Sequence, residues 1–176
     1  MKKPLTLAIA SLILGGCASK DVIFTQTPLC QAPIATISLQ NITQNDSQTT
    51  IAQEEYKTLL TQILQGTNCL TIASNPQERA YALSANYEVN LDTKEKKETL
   101  SSQSTHTLTA KVKLTITSES EIRQEMGEST IQAQEKRVLG MGESEQISRE
   151  DEINALRNST LIAIKNFIKS LKQPQE

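Results

Sequence analysis

The chain has 176 residues, a formal charge of −2, no tryptophan and five aromatic side chains. A mildly acidic balance argues against a general nucleic-acid binder, and so few aromatics cannot form a stacking platform for bases or sugars. Any core has to come from Ile, Leu, Val and Ala, and the length suits one domain.

The sequence opens MKKPLTLAIASLILGGC. Lys2 and Lys3 give a positive start, Leu5 to Leu14 an apolar run, and Gly15 and Gly16 small residues ahead of Cys17. That order predicts a secretory signal over residues 1–16. The apolar run is far below the roughly 20 residues that span a bilayer. Leu14-Gly15-Gly16-Cys17 resembles a lipobox, the cleavage site of bacterial lipoproteins. The resemblance implies that Cys17 becomes the first residue, with a diacylglyceryl group on its thiol and an acyl chain on its amine. Each buried methylene contributes roughly 0.8 kcal/mol, so several acyl chains on one residue make a stable anchor. Ala18 and Ser19 follow Cys17, where many lipoproteins kept in the inner membrane have Asp. The resemblance therefore implies the outer membrane, periplasmic side. Residues 17–31 then form the lipidated N-terminus and a short tether, and residues 32–176 a single domain.

PIATISLQNI, residues 33–42, alternates Ala35, Ile37 and Leu39 and predicts a strand. A helix follows. Thr50 and Gln53 have capping-box spacing, and Ala52, Tyr56, Leu59, Leu60 and Ile63 form one apolar stripe ending near Gly66. LTIA (70–73) is a short apolar strand. A strand–helix–strand unit predicts two parallel strands. Cys30 and Cys69 precede those strands, at the same end of the sheet. In an oxidising compartment they read as a disulfide, with two buried thiols as the alternative.

Tyr81 to Leu91 and His106 to Ile116 alternate apolar and polar residues and predict two long strands of a hairpin. DTKEKKETLSSQ between them reads as a charged loop. A third strand changes apolar phase between Met126 and Ile131, with Gly127 as a candidate bulge. GMGESEQ reads as a loop. The last helix begins near Ser148, with Glu150, Asp151 and Glu152 at its positive end and Lys165, Lys169 and Lys172 towards its negative end. The predicted fold is an α+β two-layer sandwich: one mixed sheet, two helices on one face.

Chemistry-bearing patterns are scarce. The single histidine, His106, lies in phase with a buried strand face and reads as structural. No other histidine is present to complete a metal site with Cys30 and Cys69. No phosphate loop or nucleophile elbow is present. The chain therefore reads as a non-enzyme without a cofactor. Lys94, Lys96 and Lys97 at the hairpin tip, with Lys111 and Lys113 on its wet face, are candidates for phosphate-bearing lipid or lipopolysaccharide. The competing reading is a solvated loop with cross-strand charge pairs.

The order of elements resembles the LptE-like lipoproteins. It runs from lipobox through a strand, a helix ending LQGTNC, a second strand and a hairpin ending TAKVKLTIT. It closes with the helix EINALRNSTLIAIKNFIKSL. Those proteins assist the outer-membrane LptD barrel and pass lipopolysaccharide outward. The resemblance implies a membrane-anchored accessory with a β-barrel partner and, through it, lipopolysaccharide. The order is also similar to YajG-like, curli-pore and penicillin-binding-protein-activator lipoproteins. These imply a self-associating ring or an activator of a peptidoglycan synthase. Residues 18–31 are short for a tether that must cross the periplasm.

Overall fold

The computed structural model describes residues 28–45, 48–73, 80–138 and 146–172. The signal segment, Cys17, most of the tether and most of GMGESEQ lie outside the described residues. The elements run β1 (Ala35–Gln44), α1 (Gln53–Gly66), β2 (Leu70–Ile72), β3 (Tyr81–Lys97), β4 (Ser101–Thr117), β5 (Ile122–Val138) and α2 (Arg149–Lys172). They build one sheet in the order β2-β1-β3-β4-β5. β1 is parallel to both β2 and β3, and β3, β4 and β5 form an antiparallel meander. Tyr56 of α1 stacks on Tyr87, and Phe167 of α2 meets Tyr81 edge-on. Tyr81 and Tyr87 point from the same face of β3, so both helices cover one side. This is the expected mixed-sheet α+β sandwich.

The strand alternation does what the sequence predicts in β3 and β4. Leu83, Ala85, Tyr87 and Val89 stand opposite Ile116, Leu114, Val112 and Ala110, and all eight are buried. In β5 the expectation fails. The β4–β5 register runs unbroken from Ser101↔Val138 to Thr117↔Ile122, so there is no bulge at Gly127. Ile122 and Met126 instead point away from the helices, 70% and 60% exposed. Gly127 lies beneath α2. A Cβ built there would collide with the Ser159 carbonyl oxygen and sit 2.8 Å from the Ala163 nitrogen. The irregularity in the sheet is in β1, where the register with β3 shifts between Leu39 and Ile42.

The helix ends also differ from expectation. α1 is preceded by Ala52 with no side-chain cap. The Thr50 hydroxyl and backbone N–H donate instead to Glu152 of α2, at 3.0 and 3.1 Å, and the Thr49 hydroxyl joins them at 3.1 Å. The reciprocal box belongs to α2. The Ser148 N–H donates to Asp151 at 2.8 Å, and the Asp151 N–H returns to the Ser148 hydroxyl at 3.2 Å. The left-handed residue after α1 is Asn68, φ 55°, rather than Gly66. Its side-chain amide donates to the Cys30 and Gln31 carbonyls and ties down the incoming chain.

Cys30 and Cys69 form the expected disulfide. The register explains it: Ala35 pairs with Leu70, so the two strand starts are side by side.

Tyr56 and Tyr87 form the aromatic centre, with ring centroids 4.2 Å apart. The Thr160 hydroxyl donates to the Leu156 carbonyl, which leaves its oxygen to accept from the Tyr56 hydroxyl at 3.1 Å. Tyr87 donates to the Ile51 carbonyl at 2.8 Å. Burial pushes the Tyr56 phenol well above its usual range, against the lowering effect of the Thr160 hydrogen bond. Burial, and then the Glu55 carboxylate, raise that of Tyr87. Both groups ionise later in the folded than in the unfolded chain. Their stabilisation is complete below the unfolded value, about pH 10, and is lost as pH climbs above it. Tyr56→Phe should cost about 1 kcal/mol near neutral pH. It should also make the alkaline fall in melting temperature shallower, measured by circular dichroism from pH 8 upward. An alkaline limb unchanged by the substitution would show that Tyr56 does not drive it.

Candidate partner-binding face

The three long strands outrun the helices. Every β3 residue from Asn90 to Lys97 is exposed, and Leu100 at the tip is 67% exposed. DTKEKKETLSSQ is therefore mostly ladder rather than loop, with Asp92 to Lys97 paired to Thr107 to Ser102. Its strand character has no sequence signature. Both faces are wet, so charged and hydroxyl side chains alternate with one another and no apolar period appears. Backbone pairing to β4, and of β4 to β5, is what holds the ribbon in strand form.

The sheet face away from the helices is broad and mostly neutral-polar. β4 contributes Thr105, Thr107 and Thr109, and β5 Thr130, Gln132 and Gln134, in register. Met126 and Ile122 are its exposed apolar residues. Among the described residues β5 has a neighbour on one side only, which leaves a 17-residue edge, whereas the opposite edge strand, β2, has three residues. An edge of this length presents a row of backbone donors and acceptors able to pair with another chain.

The lysines named from sequence do not converge. Lys94, Lys96, Lys111 and Lys113 share the outer face, and Lys97 points to the other. Lys111 stands opposite Glu88, six residues along β3 from Lys94, or about 20 Å. Carboxylates neutralise most of them: Lys94 with Asp92 at 3.9 Å, Lys96 with Glu98 and Lys97 with Glu95 at 3.2 Å, and Lys111 with Glu88 at 3.8 Å. Exposed pairs of this kind contribute at most about 1 kcal/mol each and do not make a phosphate cradle.

His106 is paired across the ladder with Thr93, whose hydroxyl lies 3.0 Å from Nδ1. A shallow hollow of about 280 Å³ nearby is lined by Glu95, Lys97, Ser102, Ser104, Glu135 and Arg137. Its charges are spent on each other, Lys97 on Glu95 and Arg137 on Glu135. Among the described residues no three His, Cys, Asp or Glu side chains gather to hold a metal ion, and no helix is long and apolar enough to cross a membrane.

No family model matches the sequence, and no curated protein matches it significantly. Solved structures do. A neuraminyllactose-binding hemagglutinin homolog from Helicobacter pylori is 14% identical, with 85% of this chain and 90% of that one covered, at a TM-score of 0.48. An uncharacterized protein is 8% identical over 83% and 97%, at 0.44. A PelC dodecamer from Paraburkholderia phytofirmans is 16% identical over 78% and 92%, at 0.36. At these identities and scores the likeness says nothing of activity or assembly.

Proposed function

We propose that the chain is a lipid-anchored outer-membrane lipoprotein facing the periplasm. In this reading it is a non-enzymatic, LptE-like accessory to outer-membrane assembly or transport, held to a β-barrel protein. The observation that supports the partner is the sheet itself. Three long strands expose a Thr- and Gln-rich face and a 17-residue edge, and both helices are on the other side. A β-rich partner can meet such a surface by strand addition and by hydroxyl and amide hydrogen bonds. Self-association into a ring by sheet continuation is less well served. It would join β5 to β2, which offers only three residues.

Photo-crosslinking in native membranes tests the partner. A photoreactive residue at Thr109, Thr130 or Gln132 should give adducts with one large outer-membrane barrel, identified by mass spectrometry, and one at Thr58 on α1 should not. Adducts from Thr58 alone would overturn the reading, and adducts only with a second copy would put the ring in its place. The anchor has its own test. Cys17→Ser should abolish palmitate labelling and release the protein from the membrane fraction. Persistent labelling would exclude Cys17 as the lipidated residue.

A further inference from the structure

The last two turns of α2 carry three lysines that make no ion pair among the described residues. Lys165, Lys169 and Lys172 recur at helical spacing and, with Leu29 and Ile168, line a shallow hollow of about 370 Å³. No acidic residue stands between Glu152 and Glu176 in the sequence. The ion pairs among the described residues all use other cations. At the same end Glu121 is held by Arg123 at 2.6 Å, and Arg123 also donates to the Ser170 carbonyl at 3.0 Å. Leu29 and Ile34 add apolar surface, 39% and 45% exposed.

The chain enters the domain at this place. The Leu29 N–H donates to the Thr67 carbonyl at 2.9 Å, and Cys30 is bonded to Cys69. Eleven residue steps separate Cys17 from Pro28, a reach of at most about 40 Å. The ribbon is at the opposite end. β3 starts at Tyr81, against Phe167, and Lys94 lies about 40 Å further along the strand.

We infer that the lysine face of α2, with Leu29 at its border, docks on the anionic phospholipid headgroups of the membrane that holds the lipid anchor. The inference rests on the lipid-anchor reading above. Three lysines that make no ion pair among the described residues are matched to a negative surface, and the chain enters the domain beside them at Leu29. Lipidation alone fixes a point, and the lysines add a second contact that sets how the domain stands.

Lysine footprinting of the lipidated full-length mature protein tests this. The protein is placed in vesicles of phosphatidylcholine, or of phosphatidylcholine with 30% phosphatidylglycerol. It is then treated with an uncharged acylating reagent and read by mass spectrometry, with Lys94 and Lys96 as internal references. On anionic vesicles Lys165, Lys169 and Lys172 should react about fivefold more slowly relative to the references, the ratio for roughly 1 kcal/mol per lysine at such a surface. The slowing should disappear at 0.5 M salt, where screening shortens to about 4 Å. Equal relative rates on the two vesicle types, or slowing that survives high salt, would overturn the docking. Protein that does not float with either vesicle would overturn the anchor, and the docking with it.

Discussion

Gly127→Val should lower the stability of the domain by more than about 3 kcal/mol, beyond the usual range for overpacking. The reason is what the new side chain would meet. At most crowded positions the obstacle is another side chain, which can change rotamer. At Gly127 it is the main chain of α2, the Ser159 carbonyl and the Ala163 amide. Those groups belong to the helical hydrogen-bond ladder and move only if the helix moves. α2 supplies Leu156, Ile164 and Phe167 to the core, so displacing it opens the centre of the sandwich. Gly127→Ala should show the same effect to a smaller degree. Gln132→Val, on the exposed face of the same strand, should stay within about 0.5 kcal/mol. Urea denaturation of the three variants tests this. A Gly127→Val midpoint equal to that of Gln132→Val would mean that α2 does not pack as closely as described.

Removing the disulfide should be nearly as damaging. Cys30 and Cys69 are 39 residues apart, and opening a loop of that size releases about 4 kcal/mol of chain entropy in the unfolded state. The Cys30→Ala, Cys69→Ala double variant also loosens what the bond clamps. The segment before β1 is held by hydrogen bonds from Leu29 to Thr67, from Ile34 to Cys69 and from Asn68 to Cys30. The oxidised protein should therefore show a clear drop in denaturation midpoint on adding dithiothreitol, and the double variant should not respond to it. In a tethered protein this clamp is where any pull on the lipid anchor would enter the domain. A midpoint indifferent to reductant in the natural sequence would show that the hydrogen bonds alone are sufficient.

How much could be read in advance differs from element to element. β3 and the second half of β4 declare themselves because one face is buried and the other wet, and burial imposes a period of two on the residues. α1 and α2 do so for the same reason at the helical period, although buried Ser159 and Thr160 interrupt the stripe of α2. The disulfide is legible because two parallel strands start side by side, each preceded by a cysteine. The candidate partner face was legible in part: the alternation of Tyr81 to Leu91 and of His106 to Ile116 leaves one polar, Thr-bearing side, but the extension of the ladder from Asp92 to Ser104 did not show itself. Residues there are polar on both sides, and the strand form comes from backbone pairing across the hairpin and on to β5. Lys94, Lys96 and Lys97 form a basic run in the sequence, but pairing places each beside its own acid. Those of α2 looked like ordinary complements to a helix end until the fold brought Leu29 and the chain entry beside them.

The local chemistry of the sequence was enough for the helix and strand periods and the sandwich they imply, and it is what the proposal of an export signal with a lipidation motif at Cys17 rests on. These depend on the order of residue types along a short stretch. Tertiary structure alone decided that Gly127 is a contact with α2 and not a bulge, and that Thr50 serves Glu152 and not its own helix. It also decided that β5 is an edge strand among the described residues and that Lys165, Lys169 and Lys172 stand beside Leu29, where the chain enters the domain. Each of these depends on which distant segment comes to lie alongside, and close packing and strand pairing settle that only when the whole chain is folded.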